Sequence, residues 1–182
     1  MNASLNETGR AQAQAFYNAY KDIPFDVVYT SALNRSIESV QAFIDQPVPH
    51  FIRPGLNEIS WGEMDGKVAT STEHNAYKDL LARWQKGDIE FKMWGGESPV
   101  DVQKRQEPVI QEMLQIPYDT ILLCMHGRAM RILLSWLTGV ELTKMDQFEH
   151  GNLCLYILEA NARGVKIITT NDQRHLSGLI AE

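Results

Sequence analysis

Three polar side chains follow strand-like or loop segments at positions where a ligand site can form. His126 comes directly after the apolar run 121–125. Arg35 follows the strand-like run 26–30, and Glu58 lies in a polar loop further along the chain. A guanidinium holds an oxyanion with paired hydrogen bonds, an imidazole titrates near neutral pH, and a carboxyl group exchanges protons. This set is suited to binding an anion and to acid–base chemistry on it.

Helices and strands alternate along most of the chain. Hydrophobic spacing and capping residues predict helices at about 8–20, 33–44, 71–86, from Pro99 onward and 129–138, the third with a Ser/Thr cap. Apolar runs predict strands at 26–30, from 49, at 120–125, and at 152–159 and 165–170. Pro108 is expected to bend or end the fourth helix. This order is typical of an α/β fold with a mainly parallel sheet, and the last two strands have the spacing of an antiparallel pair.

The carboxyl ends of parallel strands form the usual ligand-binding edge of such a sheet. Arg35, Glu58 and His126 are therefore expected to converge at one edge. Taken singly, Arg35 would be interpreted as a surface cation, Glu58 as a loop carboxylate and His126 as a hydrogen-bonded core residue. The joint pattern favours a common site.

The spacing argues against two other kinds of site. A cysteine phosphatase loop needs an arginine six positions after its cysteine, but Met130 stands at that position after Cys124. The five histidines show no metal-binding spacing. His74 and His150 are interpreted as polar residues of the protein surface. Neither a metal nor another cofactor is expected.

The composition describes an ordinary globular protein. The sequence has 182 residues with a net charge of −6, and 44% of them are apolar. One domain over residues 1–182 is the simplest division, and the negative charge with no basic face argues against nucleic acid as a partner. Apolar runs fall short of the ~20 residues that span a membrane. Both cysteines are interpreted as buried thiols and the first residues as no signal peptide, so a cytoplasmic location is expected.

Six segments, in order, resemble motifs of the histidine phosphatase superfamily, the phosphoglycerate mutase-like family. They are LNETGRAQAQAF, FDVVYTSALNRSIESVQ, LNEISWGEMDG, GGESPVDVQKR, LLCMHGRAMRILL and NDQRHL. They run from Leu5 to Leu176, so the resemblance covers nearly the whole chain. Each motif is weak alone, but six in register are specific. The resemblance implies a three-layer sandwich in which helices flank a mainly parallel central sheet.

The resemblance also implies roles for individual residues. Arg35 maps onto the family's phosphate-binding arginine, Glu58 onto its acid–base carboxyl group, and His126 onto its second histidine, which also contacts the phosphoryl group. His175 maps onto a structural position. The implied reaction is metal-independent phosphoryl transfer through a phosphohistidine. Because the chain is shorter than the family's mutases after the acid-bearing loop, hydrolysis of a small phosphorylated metabolite is preferred.

The sequence departs from the family at its nucleophile. The family's first strand ends in Arg-His-Gly upstream of the first motif, but only four residues precede Leu5 and no Arg-His-Gly occurs. The domain is therefore expected to be N-terminally truncated relative to the family and, as this chain, nearly inactive. The alternative is a non-catalytic relative that binds phosphorylated ligands with Arg35 and His126.

Two further features stay open at this point. A sheet edge left exposed by the missing strand would favour pairing between chains, so a homodimer is a possible state. Four large side chains are candidates for the mouth of the pocket, for packing or for the surface: Trp61, Trp94, Arg128 and Arg131.

Overall fold

The structure, a computed structural model, describes residues 2–66 and 70–179, with only the main chain of residues 71–73. Its helices are α1 (Glu7–Tyr20), α2 (Asn34–Ser39), α3 (Gln41–Ile44), α4 (Ser71–Gln85), α5 (Pro99–Gln115) and α6 (Gly127–Leu137). Its strands are β1 (Val27–Thr30), β2 (His50–Ile52), β3 (Ile121–Cys124), β4 (Leu155–Asn161) and β5 (Gly164–Asp172). Short 3-10 helices lie at Pro54–Leu56, Gly62–Met64, Leu142–Gln147 and Arg174–Leu176. The predicted side-chain cap of α4 lies outside the described residues.

The strands form one parallel and one antiparallel sheet. The parallel sheet has the order β2-β1-β3, and Thr30 of β1 stands opposite both Ile52 and Cys124. The second sheet pairs β4 with β5 in antiparallel orientation. Within the described residues, β3 pairs with β1 alone. The predicted α/β class, with a parallel sheet and an antiparallel C-terminal pair, is confirmed.

Side chains of β1 alternate between two helical layers. All four residues of β1 are buried, as expected for the central strand of a parallel sheet. Val27 and Tyr29 pack with residues of α5 and α6, whereas Val28 packs with Phe16 of α1 and Phe43 of α3. Because successive side chains point to opposite faces, these contacts place helices on both sides of the sheet. This is the predicted three-layer arrangement.

One helical prediction needs correction. The segment 33–44 forms two helices, α2 and α3, instead of one, with a break at Val40 (φ −123°, ψ 17°). The Ser39 hydroxyl donates to the Arg35 carbonyl oxygen at 2.7 Å, and this bond to the residue four positions earlier tends to bend helices.

Pro108 does not end α5, which continues to Gln115. Pro108 and Lys104 are both exposed, so water can satisfy the Lys104 carbonyl that lacks a proline N–H donor. Buried Val109, Ile110 and Met113 hold the helix beyond the proline.

The described helices also lack a stretch long and apolar enough to cross a membrane.

Gly62 has no room for a side chain, which gives a test of the packing around the Glu58 loop. It has φ +61°, and a Cβ atom there would lie 2.1 Å from the Trp94 carbonyl oxygen. Gly139 has a similar φ of +72° but open space around its Cβ position. Gly139→Ala should therefore cost about 1–2 kcal/mol for the left-handed backbone, and Gly62→Ala about 1–3 kcal/mol more for the clash. Urea unfolding measures both, and equal losses would contradict the close packing.

Candidate functional site

The exits of β1 and β3 bring Ser31 and His126 together. Because the two strands are parallel and Thr30 stands opposite Cys124, the residues that follow them leave the sheet at the same edge. The Ser31 N–H donates to the Cys124 carbonyl oxygen at 3.3 Å. Beyond it, the Ser31 hydroxyl and His126 Nε2 are hydrogen-bonded at 2.7 Å. The histidine ring is thus fixed beyond the carboxyl ends of β1 and β3.

His126 is buried among positive charges. Its exposed fraction is 8%. Burial lowers the pKa of His126 to about 3, and the charges of Arg35, Arg105 and His150 act in the same direction. The imidazole is therefore neutral at physiological pH, and one of its ring nitrogens carries a hydrogen that can be donated.

Arg35 lies on α2, beside His126. The neighbouring Ser36 is buried, and its hydroxyl donates to the Cys124 carbonyl oxygen at 2.7 Å. The Ser36 oxygen also accepts the Ser31 N–H at 3.2 Å. These bonds tie α2 to the end of β3 and leave Arg35 half-buried, close enough for its charge to lower the His126 pKa.

Glu58 caps the amino end of α6. Its Oε1 accepts the Ala129 N–H at 2.9 Å, and its Oε2 accepts the Arg128 N–H at 3.2 Å. The first N–H groups of a helix lack intrahelical partners, so a carboxylate there satisfies them and complements the helix dipole. His126, the residue before α6, makes no such side-chain cap bond. The acid of one loop therefore meets the helix that begins at the site histidine.

An ion pair between Arg105 of α5 and Glu97, which precedes this helix, holds the Glu58 loop. Arg105 Nε donates to Glu97 Oε1 at 2.7 Å, and its other nitrogens donate to the carbonyl oxygens of Gly55 at 2.7 Å and Glu58 at 3.2 Å. Glu97 also accepts the Ser60 N–H at 2.9 Å. The loop is thus held by hydrogen bonds on both sides of Glu58, at Gly55 and at Ser60. Sequence reasoning missed this clamp because nothing in the spacing links residue 105 to residue 58.

A second bond joins the Glu58 loop to the exit of β1. The Asn57 side-chain oxygen accepts the Ala32 N–H at 2.8 Å. Asn57 precedes Glu58 directly, so the segments that carry Arg35, Glu58 and His126 are connected to one another by hydrogen bonds. The segments that carry these three residues therefore lie together at one edge of the sheet, and the roles assigned to the residues stay a prediction.

His150 lies at this site, although its sequence context suggested only surface polarity. It is exposed, but its ring covers Gly127, the first residue of α6. The residue as a whole is exposed, but its ring is partly shielded from solvent. This desolvation and the Arg131 charge lower the His150 pKa, whereas the Glu58 charge raises it. The glycine that follows His126 was a signal for such a close approach, because it leaves space for a ring.

The other candidate side chains have structural partners. Arg128 and Arg131 both form ion pairs with Asp146. The Trp61 ring packs against Trp84 and Tyr77, whereas Trp94 is 82% exposed. Both arginines, on α6, are thus held by ion pairs, and Trp61 is held by aromatic packing.

Cys124 and His175 lie in structural positions. Burial raises the pKa of the Cys124 thiol to about 11, which is the opposite of what a nucleophilic thiolate needs. His175 Nε2 donates to the Leu153 carbonyl oxygen at 2.9 Å, and its ring packs on Phe16 and Tyr20. Among the parts of the chain that the structure describes, no three His, Cys, Asp or Glu side chains come together as metal ligands.

The buried neutral state of His126 makes stability depend on pH. Its folded pKa, about 3, lies below the unfolded value of 6.5, so only the unfolded chain takes up this proton between these values. The contribution of neutral His126 to the free energy of unfolding is complete above pH 6.5 and is lost as the pH falls toward 3. From pH 7 to pH 5, the wild type should lose about 2 kcal/mol of unfolding free energy relative to His126→Gln. Urea unfolding at both pH values measures this, and a constant difference between the two proteins would show that His126 is not held neutral.

Comparison with known proteins agrees with this geometry. Residues 1–173 match the model of the histidine phosphatase superfamily (branch 1). The chain is 29% identical over 150 residues to 6-phosphofructo-2-kinase 1 of Saccharomyces cerevisiae, over 81% of this chain but only 18% of that protein. It is 29% identical over 178 residues to the 2,3-bisphosphoglycerate-dependent phosphoglycerate mutase of Brucella ovis, over 87% of this chain and 82% of that protein.

A solved structure shares the fold. A mycobacterial glucosyl-3-phosphoglycerate phosphatase, in complex with inorganic phosphate, is similar with a TM-score of 0.82 and 23% identity, over 97% of this chain and 91% of that one. The architecture is accordingly that of phosphoglycerate mutase-like proteins. With a family model matched along residues 1–173, the chain belongs to the histidine phosphatase superfamily (branch 1).

Proposed function

We propose that this site serves phosphomonoester hydrolysis on a small phosphorylated metabolite, by phosphoryl transfer through a phosphohistidine. The observation that carries the proposal is the meeting of Arg35, Glu58 and His126 at the amino end of α6, beyond the carboxyl ends of β1 and β3. A cation, a neutral imidazole and a carboxyl group at one helix start suit an oxyanion in a partly buried site. The similar phosphatase and mutase are named for phosphorylated substrates.

Each residue has a distinct role in this proposal. The Arg35 guanidinium holds two phosphoryl oxygens with charge-assisted hydrogen bonds. His126, neutral because of its burial, donates a ring N–H to an equatorial oxygen, where negative charge grows in the transition state. Glu58 exchanges a proton with the leaving oxygen and later with the attacking water. To donate, its carboxyl group must direct toward the ligand an oxygen that now accepts a main-chain N–H.

Attack on phosphorus requires a further group, because one imidazole cannot both attack in line and stabilise the equatorial oxygens. The family's nucleophile lies in an Arg-His-Gly motif that these 182 residues do not contain. Of the other histidines, His50 is bonded to Thr30 Oγ1 at 2.8 Å, His175 is bonded to Leu153, and His74 is exposed on α4. His150 lies at the site, where its ring rests on Gly127, and it is not part of an Arg-His-Gly motif. This supports the proposal that the chain by itself is nearly inactive.

The same observation favours a second candidate function, reversible binding of phosphorylated ligands without turnover. Arg35 and His126 suffice to hold a tetrahedral anion, since binding needs complementary charge and donors but no nucleophile. The two functions share the anion site and differ in whether a phosphohistidine forms.

Removing the Arg35 guanidinium tests the anion site common to both functions. Arg35→Ala should weaken the binding of inorganic phosphate by about 1.5–3 kcal/mol, because a charge-assisted contact in a half-buried site is lost. Arg163→Ala, at an exposed position in the β4–β5 turn, is the matched control and should bind as the wild type does. Calorimetry at neutral pH measures all three proteins. Equal phosphate affinities in the wild type and Arg35→Ala would refute the role given to Arg35.

Turnover of an aryl phosphate without added metal separates the two functions. The 182-residue chain should be nearly inert, since removing a nucleophile from a concerted site costs on the order of 10⁶ in turnover. Fusing a strand that ends in Arg-His-Gly before Met1 should restore turnover and give an acid-labile phosphoenzyme. An inert fusion that still binds phosphate would favour the binding function.

A His126→Ala version of each protein serves as the control. Robust turnover by the short chain that disappears in its His126→Ala form would contradict the assignment of His126 to charge stabilisation and would make it the nucleophile.

A further inference from the structure

His150 is the titratable group that covers the start of α6. A Cβ atom on Gly127 would lie 2.8 Å from His150 Cε1, 2.9 Å from Nδ1 and 3.1 Å from Nε2. These distances are too short for any side chain, so the ring rests on the bare main chain of Gly127. Because Gly127 directly follows His126, two imidazoles flank the first turn of this helix.

The main chain around His150 is fixed on both sides. The Tyr156 hydroxyl donates to the Glu149 carbonyl oxygen at 2.6 Å, and the Gly151 N–H donates to Asn171 Oδ1 at 3.2 Å. The preceding Phe148 is buried. The exposed imidazole is therefore attached to a segment whose position depends on β4 and β5. The His150 ring is partly open to solvent and already lies at the start of α6.

Titratable groups from several elements surround His150. The charges of Arg131 on α6 and of Glu58 in the loop after β2 act on its pKa, and the neutral His126 ring lies at the start of α6. Burial and Arg131 lower the pKa of His150, and Glu58 opposes them. Asp146 pairs with Arg131 at 2.9 Å, which partly offsets the positive charge on that side. The proton affinity of His150 therefore depends on negative charge close to the start of α6.

We propose that His150 is a proton-linked ligand of the anion site, whose imidazole takes up a proton from solvent when a tetrahedral dianion binds and donates a hydrogen bond to it. The inference rests on the proposed function, because the dianion occupies the site formed by Arg35 and His126. Only one group is protonated: a hydronium ion of the solvent gives up the proton that forms the new N–H bond of the imidazole, and no bond of the dianion breaks.

The electrostatic reason is the placement of Glu58. Its carboxylate already occupies the N–H groups of Arg128 and Ala129, so a dianion entering beside it adds repulsion. A protonated imidazole at the start of α6, near Glu58, offsets that repulsion, and by linkage the anion raises the proton affinity of His150. His126 does not supply this charge, because its folded pKa of about 3 keeps it neutral.

Sulfate is the appropriate probe, because this tetrahedral dianion does not itself titrate near neutral pH. The 182-residue chain is titrated with sulfate at pH 7.5 and pH 5.5, with the amide signals of α6 and the histidine ring signals followed by NMR. Wild-type affinity should rise by about tenfold at the lower pH, and sulfate should raise the pKa of the His150 ring. In His150→Gln the change in affinity should stay within about twofold.

His50→Gln is the matched control, since burial also lowers the pKa of that histidine but it lies on β2, bonded to Thr30. It should keep the wild-type pH dependence. The proposal is overturned if His150→Gln retains the full dependence or if the His150 pKa is unchanged by sulfate. A wild type that binds no sulfate at either pH would contradict the proposed function together with this inference, whereas normal binding without linkage would contradict the inference alone.

Discussion

The hydrogen bond between Ser31 Oγ and His126 Nε2 joins the exits of two neighbouring parallel strands, and the rest of the site is arranged around it. Its position follows from the β1–β3 register, in which Thr30 stands opposite Cys124. The residues after these two are therefore neighbours whichever helices follow. From this point, α2 carries Arg35 to one side, and α6 presents its main-chain N–H groups to Glu58 on the other. Strand register thus sets the geometry of the proposed anion site.

The main electrostatic constraint is a neutral imidazole next to positive charges. Burial is the largest cause of the lowered His126 pKa, and Arg35 and Arg105 add to it. Protonation of His126 in that buried position, beside the charges of Arg35 and Arg105, would be costly. In the proposed function, an external anion adds negative charge beside Arg35 and Arg105 and accepts a hydrogen bond from the neutral His126 ring. Arg105 serves this arrangement twice, because it also holds the Glu58 loop through Glu97 and two carbonyl oxygens.

Much of the fold could be predicted from the sequence, whereas the roles of the three site residues stay a prediction. The alternation of elements predicted the parallel sheet and its edge, and short motifs pointed to Arg35, Glu58 and His126. Contacts between distant segments could not be predicted, because no local pattern specifies them: the Arg105–Glu97 clamp and the ring of His150 on Gly127 both depend on tertiary packing. The break after Ser39 was missed for the same reason, since local helix propensity yielded there to side-chain bonding. Of the two alternatives for Pro108, an end of the helix is excluded, because burial of the residues that follow holds α5 together.

The most direct test of the account is a crystal structure of the chain soaked with orthovanadate, a tetrahedral oxyanion. The account predicts vanadate beyond the carboxyl ends of β1 and β3, with the Arg35 guanidinium and a ring nitrogen of His126 within hydrogen-bonding distance of its oxygens. Vanadate bound at another edge of the sheet, or bound at this edge without contact to either residue, would contradict the claim that these two side chains form the anion site.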